Sequence, residues 1–124
     1  IGDLDTLLSH PIVGASWEGF VVENLLACAQ PGVEGFFYRS SGGAEIDLIL
    51  ARPDGRLWAI EIKRSLSPKL ERGFHSACAD LKPVRKIVIY PGHESYRIAE
   101  DIEAMSPLAM ASLLADATSP GNGA

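Results

Sequence analysis

The stretch that decides the fold reads GGAEIDLIL over residues 42–50 and is followed, after a PDG turn at 53–55, by LWAIEIK over residues 57–63. Two runs of alternating polar and apolar residues, joined by a turn of that composition, predict an antiparallel hairpin. If Asp54 is the middle of a symmetric three-residue turn, residues whose numbers add to 108 face each other. Asp47 then lies opposite Glu61.

The alternation of side chains along a strand predicts that the charged residues of both strands share one face of the hairpin. That face carries Glu45, Asp47, Ile49, Ala59, Glu61 and Lys63. The opposite face, predicted to pack on the core, carries Ile46, Leu48, Leu50, Trp58, Ile60 and Ile62. In the same register Glu45 lies opposite Lys63. A bulge in the turn would shift the pairing by one residue and turn one carboxylate away.

Two carboxylates that face each other across a strand pair repel, so their presence indicates a site with a cation or a shared proton between them. A hard divalent ion such as magnesium binds carboxylate oxygens and keeps several waters, and Asp47 and Glu61 would be its protein ligands. Lys63, roughly 6.7 Å from Glu61 along the same face, would hold a phosphate or orient an attacking water. The alternative is an ordinary polar strand face with a Glu45–Lys63 pair and solvated carboxylates.

The composition is that of one globular domain, with 124 residues and 47% hydrophobic content. Because the chain begins with Ile1 and not Met, we interpret it as a piece of a longer protein. We predict a lead-in from a preceding domain over residues 1–11, one domain over 12–116 and a disordered tail over 117–124. No apolar run approaches the roughly 20 residues that span a bilayer, and no secretion signal is found. We therefore expect no membrane association and a cytoplasmic location.

The net charge of −5 is not typical of a general nucleic-acid-binding protein, which usually carries a basic face. Basic residues nevertheless concentrate in and just after the hairpin region. Besides Lys63, they are Arg39, Arg64, Lys69 and Arg72. These four side chains either contact a nucleic-acid backbone or form a solvated charged face.

The spacing of apolar residues predicts a first helix over residues 11–30, with a buried stripe that includes Trp17, Val21 and Leu25. Glu18 falls beside this stripe, so it either meets a partner at the site or stays at its wet edge. Strands are predicted over 35–39, 44–51 and 56–63, a second helix over 68–81, and a strand over 86–90 that is covered on both faces. A further edge strand is predicted over 96–99 and a last helix over 107–116. This order predicts an α/β domain with a mixed sheet flanked by helices.

Three short motifs in this order resemble the signature of the PD-(D/E)XK superfamily, whose restriction-endonuclease-like fold has an αβββαβ core. They are the Gly14-x-x-x-Glu18 pattern, EID at 45–47 and EIK at 61–63. More closely, the chain resembles the uncharacterised C-terminal domain that follows a predicted AAA-type ATPase in many bacterial and archaeal proteins. The residues that carry this closer resemblance are Tyr38-Arg39, GAEID at 43–47, AIEIKRS at 59–65 and Gly73-Phe74. The superfamily's proline before the aspartate is absent, since Ile46 precedes Asp47.

The resemblance implies a site that binds Mg²⁺ or Mn²⁺ and hydrolyses phosphodiester bonds of DNA or RNA. Asp47 and Glu61 would be metal ligands, Glu18 an additional or water-mediated ligand, and Lys63 the group that positions the attacking water. It also implies an N-terminal ATPase domain as partner, although residues 1–124 contain no G-x-x-x-x-G-K-[ST] loop. The alternative function is a catalytically silent module that binds a partner or regulates the attached ATPase.

Overall fold

The computed structural model describes residues 16–116 of the chain. The predicted lead-in at 1–11 and the predicted tail at 117–124 lie outside the described residues. The elements are α1 (Ser16–Cys28), β1 (Glu34–Arg39), β2 (Glu45–Ala51), β3 (Leu57–Ile62), α2 (Arg72–Leu81), β4 (Arg85–Ile89), β5 (Tyr96–Ala99), β6 (Ile102–Met105) and α3 (Pro107–Asp116).

The strands form one six-stranded mixed sheet in the order β1-β2-β3-β4-β6-β5. Strands β1, β2 and β3 form an antiparallel meander, while β4 is parallel to both β3 and β6. The predicted α/β class and the predicted order of the first six elements are therefore confirmed. No helix in the described residues is long and apolar enough to cross a membrane.

Two predictions about the second half of the chain need correction. The four-residue strand β6 was not predicted; it lies between β4 and the predicted edge strand β5. The second helix begins at Arg72 and not at residue 68, because Glu71 is in an extended conformation with φ −102° and ψ 166°. Helix α2 is capped at its C-terminus by Lys82, which has a left-handed conformation with φ 53°. The Lys82 N–H donates a hydrogen bond to the Cys78 carbonyl.

The hairpin of β2 and β3 has the predicted register. Leu48 pairs with Ile60 and Leu50 with Trp58, and each pair of numbers adds to 108. The turn closes through a hydrogen bond of 2.9 Å from Arg52 N to Arg56 O, and Gly55 takes the positive φ of +88° that such a turn requires.

The sheet is buried on both faces, so the domain has two apolar layers. The layer under α1 and α3 contains Val21, Leu25, Leu48, Leu50, Trp58, Ile60, Ile62, Ile87, Ile89, Met105, Met110 and Leu114. The layer under α2 contains Ala44, Ile46, Ile49, Ala59, Phe74, Ala77, Cys78, Val88, Tyr90, Ile102 and Ala104. The β4 residues Ile87, Val88 and Ile89 are divided between the two layers. This division confirms the prediction that this unbroken apolar strand is covered on both sides.

Ile46 lies in the α2 layer, which corrects its predicted position on the same face as Leu48. The reason is a β-bulge between β1 and β2. Phe36 pairs with Ile49 and Tyr38 with Ile46, so two residues of β2 oppose the single residue Phe37. The two residues are Asp47 and Leu48. Because of this extra residue, the side chains of β2 before the bulge point to the opposite faces from those that strict alternation predicts. The change occurs at Asp47, the predicted metal ligand.

Candidate metal and catalytic site

The candidate site lies where β2 and β3 separate. Their pairing ends at Leu48–Ile60, whereas β3 continues along β4 as far as Ile62–Ile89. The main-chain N–H of Lys63 then donates to Ile89 O at 2.9 Å. A gap opens between β2 and β3 beyond this point, and the carboxylates of Asp47 and Glu61 lie in it.

The two carboxylates accept hydrogen bonds from main-chain N–H groups of the opposite strand where the strands no longer pair. Glu61 Oε1 accepts a bond of 3.3 Å from the Asp47 N–H, and Asp47 Oδ2 accepts one of 2.9 Å from the Ile62 N–H. Buried main-chain N–H groups need acceptors, and here the acid side chains are those acceptors. The structure therefore brings the predicted pair Asp47 and Glu61 together.

Glu61 is the only charged residue in the described part of the chain that is buried, with 5% of its surface exposed. Burial, and next the negative charge of Asp47, raise the pKa of Glu61 to about 8. Lys63 Nζ lies 3.7 Å from Glu61 Oε2, which lowers this pKa but does not compensate for the burial. Glu61 is thus a carboxyl group that holds a proton at neutral pH unless a cation replaces it.

Asp47 is half-buried, and its burial likewise raises its pKa above the ordinary value. The hydrogen bond from Ile62 and the charge of Lys63 act in the opposite direction. A side-chain hydrogen bond with Glu61 also lowers the pKa of Asp47, by less than burial raises it. In the absence of a cation, burial therefore disfavours the state in which both carboxyl groups are ionised.

Glu18 lies on α1 at the rim of a cleft of about 260 Å³ that opens beside Asp47. The residues that line this cleft are Glu18, Phe37, Tyr38, Arg39, Glu45, Ile46 and Asp47. The Glu18 side chain is exposed, but partial burial and the charge of Asp47 raise its pKa. Glu18 therefore faces the site from its outer edge, which fits a water-mediated ligand better than a direct one.

The expected Glu45–Lys63 pair is not formed. Glu45 Oε1 instead lies 3.5 Å from Arg39 Nε on β1, because Arg39 is its partner across the β1–β2 pairing. Because β2 and β3 separate before this point, Lys63 does not pair with Glu45, and its Nζ lies 3.7 Å from Glu61 Oε2 instead.

Of the four predicted nucleic-acid contacts, Arg39 lines the cleft beside Asp47. Arg39 is exposed at the end of β1, on the cleft. Arg64, Lys69 and Arg72 are exposed in the segment between β3 and the first turn of α2. Their role in nucleic-acid binding stays a prediction.

Two features of the site were missed from the sequence. Phe37 lines the cleft, although its aromatic strand was considered only as a part of the sheet. Gly73, at the start of α2, approaches the β1–β2 loop so closely that a Cβ there would lie 2.6 Å from Gly43 O. The aromatic run at 36–38 was the available signal for Phe37. The Gly73 contact has no local signal, because it joins segments that are 30 residues apart in sequence.

The chemistry of the acid pair fits a hard divalent cation. Asp47 and Glu61 are partly or fully removed from water, and burial raises the pKa of both, so a cation between them would relieve the cost of two buried charges. One oxygen of each carboxylate is held by a main-chain N–H, which orients the other. Residues 16–116 contain no group of three or more His, Cys, Asp and Glu side chains arranged to hold a metal. The pair would therefore need water to complete the coordination.

The fold and this acid pair define a class: an α/β domain with a six-stranded mixed sheet and a carboxylate site where two central strands separate. Within it, the chain belongs to the family described as Domain of unknown function (DUF4143), whose model matches residues 13–110. The chain is also 36% identical over 105 residues to uncharacterised proteins of Mycobacterium bovis and Mycobacterium tuberculosis. That alignment covers 85% of this chain and 23% of each relative, so the chain spans about a quarter of their length. No solved structure matches it significantly.

Proposed function

We propose that this domain is a metal-dependent nuclease of the PD-(D/E)XK superfamily, which hydrolyses phosphodiester bonds of DNA or RNA. The observation that carries the proposal is the arrangement of Asp47, Glu61 and Lys63. The carboxyl groups of Asp47 and Glu61 lie at the gap between β2 and β3, where burial raises the pKa of both. The Lys63 ammonium lies 3.7 Å from Glu61 Oε2. The order of Glu18, the EID motif and the EIK motif on a helix and two strands supports the same assignment.

In this proposal Asp47 and Glu61 would hold Mg²⁺ or Mn²⁺, and Glu18 would bind the ion through a water. The bound ion supplies Lewis-acid stabilisation of the phosphate and lowers the pKa of a water. The Glu61 carboxyl must lose its proton first, so the affinity for the ion rises with pH.

Lys63 positions the water that attacks phosphorus and stabilises negative charge on the phosphate as it develops. The new bond joins the water oxygen to phosphorus, and the bond between phosphorus and one sugar oxygen breaks. The attacking water gives up one proton to the solvent, and the sugar oxygen takes one proton from the solvent and leaves as a hydroxyl. The other product is a phosphate monoester. Arg39, Arg64, Lys69 and Arg72 contact neighbouring phosphates.

The resemblance also supports a place for the domain in a longer protein, after an N-terminal AAA-type ATPase domain. The proposed location, in the cytoplasm, rests on the sequence pattern. The relatives are long enough to contain such a domain, because their match to this chain takes up only 23% of their length.

The second candidate is the catalytically silent module that binds a partner or regulates an attached ATPase. It is favoured by the net charge of −5, and by the lack of a ready-made three-residue metal group in the described region. It is disfavoured by the free-energy cost of burying two neighbouring carboxyl groups that would have no chemical use.

The decisive experiment measures cleavage of labelled single-stranded and double-stranded DNA and RNA in Mg²⁺, in Mn²⁺ and in EDTA. We expect metal-dependent cleavage that falls at least about 100-fold in Lys63→Ala, the scale of losing one group that stabilises developing charge. Arg56→Ala is the matched control, since Arg56 is an exposed cation at the opposite end of the same hairpin. The full-length protein is tested in parallel. Cleavage that persists at the wild-type rate in Lys63→Ala would contradict the role of Lys63. No cleavage by either the domain or the full-length protein would favour the silent module.

A further inference from the structure

Phe37 is the most exposed aromatic ring near the acid pair. It lies in the edge strand β1, and 69% of its surface is exposed. Gly35, two residues earlier, faces α1, since a Cβ there would contact the Leu26 side chain. Phe37 is on the same face by strand alternation, which is the face from which Glu18 enters the cleft. The ring therefore lines the opening that leads to Asp47.

The bulge fixes this position. Phe37 opposes both Asp47 and Leu48, so the residue that carries the ring is the cross-strand neighbour of the residue that carries the candidate metal ligand. The Arg39 guanidinium carbon lies 6.0 Å from the centre of the Phe37 ring. An aromatic face, a cation and a carboxylate thus meet at one cleft.

Because the exposed Phe37 ring lines the cleft beside Asp47, it is a candidate contact for whatever binds there. One alternative is a second copy of the chain that pairs with the free edge of β1. The bulge disfavours this, because it bends the edge, and Glu34 and Arg39 add exposed charges at both ends of the strand. Phe36, 46% exposed, pairs with Ile49 and so lies on the other face of the sheet, away from the cleft.

We infer that Phe37 is a stacking platform for an unpaired nucleobase, and that the cleft accepts single-stranded nucleic acid with a phosphate directed to the Asp47 end of the acid pair. This inference rests on the proposed nuclease function and specifies its substrate class. Aromatic side chains stack on bases of any sequence, but inside a duplex both faces of a base are covered by its neighbours. Arg39 is placed to contact the phosphate next to the stacked base.

The test is fluorescence anisotropy with a short fluorescein-labelled oligothymidylate and with a blunt duplex, in Ca²⁺ to limit hydrolysis. We expect the single strand to bind more tightly. Phe37→Ala should weaken its binding by about 5- to 100-fold, the equivalent of one base–aromatic stack. Phe37→Trp should restore the affinity, and Phe36→Ala, the matched control on the opposite face, should change it less than twofold.

Binding and cleavage separate this inference from the function on which it rests. Loss of affinity in Phe37→Ala without cleavage by the wild type would support the stacking platform and contradict the nuclease. Cleavage of duplex and single strand at equal rates, with Phe37→Ala unaffected, would overturn the platform and leave the nuclease intact. A dimer in sedimentation that Phe37→Ala dissociates, with no oligonucleotide bound, would also overturn it in favour of an interface between copies.

Discussion

Asp47 and Glu61 each accept a hydrogen bond from the main chain of the opposite strand, at the point where β2 and β3 stop pairing. Glu61 Oε1 binds the Asp47 N–H at 3.3 Å, and Asp47 Oδ2 binds the Ile62 N–H at 2.9 Å. The acids therefore have two roles, as acceptors that complete the strand ends and as candidate ligands. Substitution by alanine would leave an N–H unpaired, so amide variants separate the two roles better.

The raised pKa of Glu61 predicts that the metal-free protein loses stability as the pH rises. The folded state binds the Glu61 proton more tightly than the unfolded chain does, because burial and Asp47 raise the pKa from 4.5 to about 8. This contribution is complete below pH 4.5 and is lost as the pH rises through about 8. We expect a decrease of a few kcal/mol, since one pKa unit corresponds to about 1.4 kcal/mol. Urea unfolding in EDTA across this pH range measures it.

Glu61→Gln is the informative variant for this pH dependence, because an amide keeps the Oε1 acceptor and cannot ionise. We expect its stability relative to the wild type to increase between mildly acidic and mildly alkaline pH. Glu23→Gln, an exposed position on α1, is the matched control and should follow the wild type. A constant difference between Glu61→Gln and wild type over this range would contradict the raised pKa of Glu61.

Divalent cations are predicted to stabilise the wild type and not Asp47→Asn. An ion that binds only the folded state adds about 2.7 kcal/mol when its concentration is 100 times the Kd. Because Glu61 must release its proton, the gain should be larger at pH 8 than at pH 6. Thermal unfolding with Mn²⁺ and with EDTA measures it, and Asp54→Asn, in the exposed turn of the same hairpin, is the control. Equal stabilisation of Asp47→Asn and wild type would place the ion elsewhere.

The central hairpin was predictable from sequence because its register depends on one local feature. The three-residue turn at 53–55 sets the register of β2 and β3 up to Leu48–Ile60, and Asp47 and Glu61 are the next residue on each strand. The order of elements up to β4 followed from periodicity and turn residues. The α3 start was predictable as well, since Ser106 Oγ caps the helix by accepting from Ala109 N at 3.0 Å.

The features that were missed depend on contacts between segments. The bulge that moves Ile46 to the α2 layer is a property of the β1–β2 pair, and neither strand alone encodes it. Strand β6 is only four residues long and is specified by its position between β4 and β5. Likewise, the separation of β2 from β3 frees Lys63 from Glu45, which the uninterrupted alternation of each strand did not indicate.

The two cysteines are predicted to differ in reactivity. Cys78 on α2 has 4% of its surface exposed, and burial raises the pKa of its thiol to about 11. At pH 8 this pKa leaves about one thiol in a thousand ionised, and only the thiolate reacts. Cys28, at the end of α1, is half-buried.

We expect one fast-reacting thiol per native chain with a disulfide reagent, and two after denaturation. Cys28→Ser should remove the fast phase, whereas Cys78→Ser should keep it. Two thiols that react equally fast in the native protein would contradict the burial of Cys78.

Two glycine-to-alanine substitutions are predicted to change stability in opposite directions. At Gly73 the new methyl group would lie 2.6 Å from Gly43 O and 3.6 Å from Glu45 N, both main-chain atoms. Helix α2 must then move away from the start of β2, and we expect a loss of about 1–3 kcal/mol, typical of overpacking. Gly19 on α1 has no atom within 4 Å of the added Cβ, so Gly19→Ala should gain about 0.5–1 kcal/mol from helix propensity. Urea midpoints at unchanged slope measure both changes. If Gly73→Ala were as stable as Gly19→Ala, α2 would not be packed against the segment that leads into Asp47, and the support of the acid pair from that side would have to come from another element.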